Sequence, residues 1–191
     1  MSKTWTWAGA AVIVALAAAT LSARVKVQVE FDKTFNFSNV RTWAWATETS
    51  QVFVARTKDD SAAVMRKRAE PIILDAVGKE MPQRGLTSAA NGAADVTLAY
   101  YLLLATSMDA QMMGQFLPAV GFWGLPPFQG ATQSLEVMNA GTLVLDFRAK
   151  DNVVWRGVAR AEIAFDATDE KRDKLLREAV RDLLRRFPPK R

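Results

Sequence analysis

The stretch from Gly141 to Phe165, GTLVLDFRAKDNVVWRGVARAEIAF, constrains this chain more than any other. It reads as two long strands joined by a short turn. In the first, Leu143, Leu145 and Phe147 alternate with Val144, Asp146 and Arg148. In the second, Val153, Trp155, Gly157, Ala159, Ala161, Ile163 and Phe165 alternate with Val154, Arg156, Val158, Arg160, Glu162 and Ala164. A period of two sets one apolar face against a core and a more polar face outward. Ala149-Lys150-Asp151-Asn152 supplies the turn, because Asp and Asn tolerate tight backbone geometry and hydrogen-bond locally. Trp155 falls on the apolar face, and Gly157 is expected to allow a bulge or a close approach. Arg156 is expected to face outward and pair with Asp146 across the hairpin.

The segments before it alternate between strand and helix signals. Arg24 to Asp32 reads as a strand, with Val25, Val27, Val29 and Phe31 on one face and Lys26, Gln28, Glu30 and Asp32 on the other. A turn-rich link follows, pinned to the core by Phe35 and Phe37. Val40 to Ala46 is a second strand, on which Trp43 and Trp45 share a face. Thr47 to Asp59 is polar and is expected to be a loop. Val64, Met65, Ala69, Ile72, Ile73, Ala76 and Val77 recur at helical spacing. Pro71 lies inside that pattern and should kink the helix or open a second one. Pro82 and Gly85 end it, and Thr87 to Ala94 is a small-residue loop.

Asp95 to Ser107, DVTLAYYLLLATS, is apolar on both faces, as befits an interior strand, with Tyr100 and Tyr101 on opposite sides. The strongest helix signal comes last. Thr168 is its expected cap, and Leu175, Leu176, Ala179, Val180, Leu183, Leu184 and Phe187 form one stripe. Glu170–Lys174, Asp173–Arg177 and Asp182–Arg186 have the spacing of intrahelical ion pairs. Together these segments predict an α+β fold: an antiparallel-rich sheet of about five strands, in the order β-β-α-β-β-β-α, with two helices on one face.

Met108 to Ala140 fits none of this. It carries Met108, Met112, Met113, Phe116, Leu117, Phe122, Trp123, Leu125 and Phe128, is broken by glycines and the Pro126-Pro127 pair, and has no charged residue from Gln111 to Gln133. A loop this long in one domain is usually functional or disordered. Folded back, it would cover a sheet face. Exposed, it would present Met112, Met113, Phe116, Phe122, Trp123 and Phe128 to a partner protein, a peptide or a lipid. The Met108, Met112 and Met113 thioethers could also attract copper(I), the least favoured reading without Cys or His.

What the chain lacks excludes whole mechanisms. The sequence has no Cys and no His. Disulfides, thiolate nucleophiles, zinc–thiolate sites and the Ser-His and Cys-His mechanisms are therefore out. No motif for a cofactor is present, and none is expected. The formal charge is +5, but Lys and Arg are interspersed with acids, so no nucleic-acid partner is expected.

Residues 1–23, MSKTWTWAGAAVIVALAAATLSA, hold one charged side chain, Lys3, ahead of an apolar run. They read as a secretory signal, with an uncleaved anchor as the rival: residues 5–23 are close to the length that spans a bilayer. The expected organisation is thus a targeting segment at 1–23 and a single domain at 24–191 carrying the apolar loop at 108–140. The expected address is the periplasm or cell envelope, a cleaved soluble form being favoured over an anchored one.

Four pieces in order carry a family resemblance: VKVQVEFDKTFNFSNVRTWAWA, MPQRGLTSAANGAADVTLAYY, GTLVLDFRAKDNVVWRGVAR and a terminal helix ending RRFPP. Over residues 25 to 189 the chain resembles the domain-of-unknown-function family 4136. The resemblance implies a bacterial cell-envelope protein, often a lipoprotein, with no established activity and no catalytic residues to carry over. Such lipoproteins have a Cys after a Leu-Ser-Ala-like motif; here Leu21-Ser22-Ala23 is followed by Arg24, so that route to acylation is closed. The reading is an exported, non-enzymatic envelope protein with a binding or envelope-assembly role. The alternative is a carboxylate-based hydrolase or lyase using residues such as Asp32, Asp95 and Asp146.

Overall fold

Six strands form one mixed sheet in the order β1-β6-β5-β4-β2-β3, with two helices packed against it. The computed structural model describes residues 25–55, 62–89, 93–105, 140–150, 152–162 and 167–189. The strands are β1 (Lys26–Phe31), β2 (Thr42–Ala55), β3 (Thr87–Ser88), β4 (Val96–Ala105), β5 (Ala140–Ala149) and β6 (Asn152–Glu162). The helices are α1 (Ala62–Glu80) and α2 (Asp169–Leu184).

The hairpin forms as its alternation requires, paired from Ala140↔Glu162 to Ala149↔Asn152. Lys150 takes a left-handed conformation in the turn, with φ 56°. β1 adds antiparallel to β6, and β4 antiparallel to β5. β2 runs parallel to β4, which α1 makes possible by carrying the chain back between them. β1 and β2 lie four strand positions apart, so the link between them crosses about 19 Å of sheet. Phe35 and Phe37 hold that link down, packing edge-on to each other.

The helix-side core is centred on aromatic rings from distant parts of the sequence. Phe147 stacks on Phe187 at 3.7 Å, and Trp155 meets both edge-on at 5.5 and 5.4 Å. Phe37 reaches Phe187 from the opposite end of the chain, at 6.0 Å. α2 closes this layer with Leu175, Ala179, Val180, Leu183 and Leu184, all buried. Thr168 caps it as expected, its hydroxyl accepting from the Lys171 amide. Tyr100 belongs to the helix-side cluster and Tyr101 to the opposite one, with Ala99, Leu103, Val144 and Val158.

Four local expectations are corrected and one is narrowed. β2 does not stop at Ala46. It continues through the polar run to Ala55, absorbing extra residues where it advances from Trp45 to Ser50 while β4 advances only from Leu98 to Tyr100. The loop after α1 includes the two-residue β3. Of the two outcomes expected at Pro71, no second helix opens: α1 runs through it as one helix. Val64 leaves the expected stripe and is 60% exposed; five residues before Ala69, it sits about 140° around the helix from it. In β6, the register shift between Phe147 and Arg148 makes Val154 the extra residue, so Val154 and not Val153 joins Trp155 in the helix-side core.

Candidate functional site

The face of the hairpin expected to be outward is buried. Asp146 is 0% exposed and Arg156 1%. They are direct cross-strand partners on β5 and β6, and they meet as a fork: Arg156 Nε donates to Asp146 Oδ1 at 2.6 Å and Nη2 to Oδ2 at 2.5 Å. Glu30 on β1 sits opposite Arg156 on its other side. Burial pushes the Glu30 carboxyl above its usual range, against the pull of Arg156 and a hydrogen bond from Gln28. Nearby, Arg148 Nη2 donates to the Tyr101 hydroxyl at 2.8 Å. Burial, and then the charge of Asp146, raise the Tyr101 phenol, while Arg148 and Arg156 oppose the rise. A bidentate guanidinium–carboxylate pair occupies both oxygens of the acid, which suits it to holding strands in register and not to moving a proton.

The three carboxylates of the hydrolase reading have separate tasks. Asp32 accepts from the Thr34 amide and hydroxyl at 2.8 and 2.7 Å, closing the turn after β1. Asp95 accepts from the Arg41 and Thr42 amides at 2.9 and 2.8 Å and from the Thr42 hydroxyl, tying β2 to β4. Those donors hold its carboxyl below the usual range. Asp146 is the buried partner of Arg156. Among the described residues, no group of three or more acidic side chains is placed to hold a metal ion.

Gly157 has the close approach expected of it. A Cβ there would lie 2.3 Å from the Trp155 ring and 2.7 Å from Leu183. Trp43 and Trp45 meet at 5.4 Å with Trp43 buried, so they build core and not an open platform.

A cleft lies on the helix side, where α1, α2 and the ends of β4, β5 and β6 meet. Its floor is Leu102 and Leu104 from β4, Gly141 and Leu143 from β5, and Ala159 and Ala161 from β6. Met65, Ala69 and Ile72 of α1 and Leu175, Leu176 and Ala179 of α2 form its walls. The small residues Ala69, Gly141, Ala159, Ala161 and Ala179 leave a space of about 90 Å³. That is room for an alkyl or aromatic group, not for a whole ligand of the kind that fills about 300 Å³ or more. Arg68, Arg172 and Asp173 stand at the polar edge. Arg68 pairs with Asp169 and, at 3.5 Å, with Asp173, joining the two helices. Asp75 likewise bridges to Arg177, and Lys79 and Arg177 hold its carboxyl below the usual range. Asp169, Asp173 and Arg177 of α2 thus turn to α1, in place of the expected pairing of Asp173 with Arg177.

Sequence reasoning missed this cleft because it depends on small residues from four elements. The apolar positions singled out instead, Met112, Met113, Phe116, Phe122, Trp123 and Phe128, lie outside the described residues, as do Met108 and residues 1–23. The two strand ends that bracket the 106–139 segment, at Leu104 and Gly141, are a facing pair on the cleft floor. No described helix is long and apolar enough to cross a membrane.

The description "Domain of unknown function (DUF4136)" fits residues 27–189. The chain belongs to the DUF4136 family. Residues 1–26 therefore precede the family domain. Among solved structures, this chain is similar to a DUF4136 family protein, BT2437, from Bacteroides thetaiotaomicron VPI-5482. The two share 18% identity with a TM-score of 0.49, over 86% of this chain and 96% of that one. It is also similar to PelC of Paraburkholderia phytofirmans, crystallised as a dodecamer, at 9% identity and a TM-score of 0.39, over 84% and 95% of the respective chains. Likeness at this level carries no argument about function. No protein of curated function matches.

Proposed function

We propose that this DUF4136 protein is exported to the cell envelope and acts there by binding, not by catalysis. The observation that carries the reading is the apolar cleft, whose floor includes the strand ends Leu104 and Gly141. It supports capture of one alkyl or aromatic group, presented by an envelope protein, a peptide or a lipid. The uncharged run from Gln111 to Gln133 belongs to the connection between those strand ends, so Met112, Met113, Phe116, Phe122, Trp123 and Phe128 are proposed as the neighbouring contacts. The non-catalytic part rests on the missing His and Cys and on the structural tasks of Asp32, Asp95 and Asp146. The apolar run at 8–21 supports export.

Two measurements test this. Fractionation of tagged cells, with the intact mass of the mature chain, should find it in the envelope or periplasm; a full-length mass in the cytoplasm would refute export. Titration with alkyl sulfates of increasing chain length should show saturable binding that Ala161→Leu, which fills the cleft floor, abolishes. Equal binding by that variant would refute the cleft as the site.

A further inference from the structure

β1 is an edge strand. It pairs with β6 on one side, and no described residue pairs with the other. The direction of its free backbone groups follows from its register. The Asp32 amide donates to the Val154 carbonyl, so even-numbered residues turn N–H and C=O toward β6. Odd-numbered ones, Val25, Val27, Val29 and Phe31, then turn theirs outward. Those four side chains pack half-buried against the helix-side core, while Lys26, Gln28 and Glu30 alternate to the other face. About Gln28 the strand is a charge palindrome: Lys26 stands two residues before and Glu30 two after.

We propose that β1 pairs antiparallel with β1 of a second copy, about a two-fold axis at Gln28, and joins the two sheets into one. In that register Val27 faces Val29 and Val25 faces Phe31 as hydrogen-bonded pairs, which uses the outward N–H and C=O groups. Gln28 faces itself in a non-hydrogen-bonded pair, where side chains come closest. Lys26 of each copy then faces Glu30 of the other, so two ion pairs form on one face and valines continue the apolar layer on the other. The second lysine gives the half-buried Glu30 carboxylate a cation on its open side, Arg156 already lying on the inner one. A register centred on Val29 would set Glu30 against Gln28 and turn Lys26 to Asp32, whose carboxylate already serves Thr34. A shift by one residue would put valines on the polar face. A six-residue edge is small beside the roughly 1,200 Å² that stable interfaces bury, so the pair is transient and is best detected by trapping.

The chain has no cysteine, so one introduced thiol reports one position. Full-length Gln28→Cys, oxidised mildly in intact cells, should give a disulfide-linked dimer. Opposed non-hydrogen-bonded residues lie about 4.5 Å apart at Cα, inside the roughly 4.4–6.8 Å of a disulfide. Lys26→Cys alone should link at least roughly tenfold less, because its own counterpart lies four residues along, about 14 Å away. Co-expressed Lys26→Cys and Glu30→Cys chains should link to each other, one ion pair remaining between them. Linking at Gln28→Cys and not at Lys26→Cys supports the pairing whatever the cleft binds. No dimer from Gln28→Cys, equal dimer from Lys26→Cys, or linkage only to a different protein would overturn it.

Discussion

Gly157→Ala adds one methyl group and should destabilise the domain strongly. The new Cβ would sit 2.3 and 2.8 Å from two atoms of the Trp155 ring and 2.7 Å from a Leu183 methyl. Carbon atoms prefer about 3.5–4.0 Å, so all three contacts are deep in the repulsive range. Neither neighbour has room to move, since Trp155 and Leu183 are both 0% exposed. Trp155 is further held between Phe147 and Phe187. Two effects oppose each other. Alanine restricts the unfolded chain and should contribute about 0.4–1 kcal/mol of stability. Overpacking a filled core costs about 1–3 kcal/mol, and this site belongs at the upper end. The net is a loss of about 2 kcal/mol, or a fall in Tm of roughly 4–8 °C for a domain of this size. Denaturant unfolding monitored by tryptophan fluorescence would read it, with the m-value unchanged. Leu183→Ala should be less harmful in the Gly157→Ala background than alone, because the methyl would use the vacated space, with coupling of roughly 0.5–3 kcal/mol. A stable Gly157→Ala variant, or strict additivity with Leu183→Ala, would refute the packing argument.

Three further outcomes are expected. Arg156→Met should cost about 3–5 kcal/mol by leaving Asp146 buried without its counter-ion, while Asp146→Leu with Arg156→Met should cost far less; chemical denaturation of both variants checks this. Thr168→Ala should cost about 1 kcal/mol by uncapping α2, readable as a shifted denaturant midpoint. Asp95 has a folded pKa below its unfolded value, near 3.9, so its contribution is complete above that value and is lost as pH falls through the lower folded one. The stability gap between wild type and Asp95→Asn should therefore close as pH is lowered below about 4; a gap that stays constant would show that the carboxylate charge is not what Arg41 and Thr42 bind.

The hairpin, the interior strand β4 and the capped helix α2 were legible because each carries an uninterrupted period, of two or of about 3.6 residues. The opposite placement of Tyr100 and Tyr101 followed from the same parity. Where parity breaks, reading failed. The bulge at Val154 moves a valine across the sheet, and the polar run in β2 hid a strand whose pairing comes from β4 and not from its own alternation. The Asp146–Arg156 pair was legible as a partnership but not as a buried one. Charge suggests water, and parity alone does not say that this face is buried. The cleft was beyond sequence reasoning, since alanines on three elements acquire meaning only when brought together.

The sheet also sets an order of events. β1 closes on β6, with Lys26 opposite Arg160, and Phe37 rests on Phe187. The first strand therefore has no neighbour until the sixth has been made, and the aromatic cluster is incomplete until almost the last residue is present. An N-terminal fragment holds neither the complete sheet nor its core, and contacts this far apart in sequence form late because of the entropy of joining them. A chain wired in this way reaches its full set of contacts only once its far end has been made.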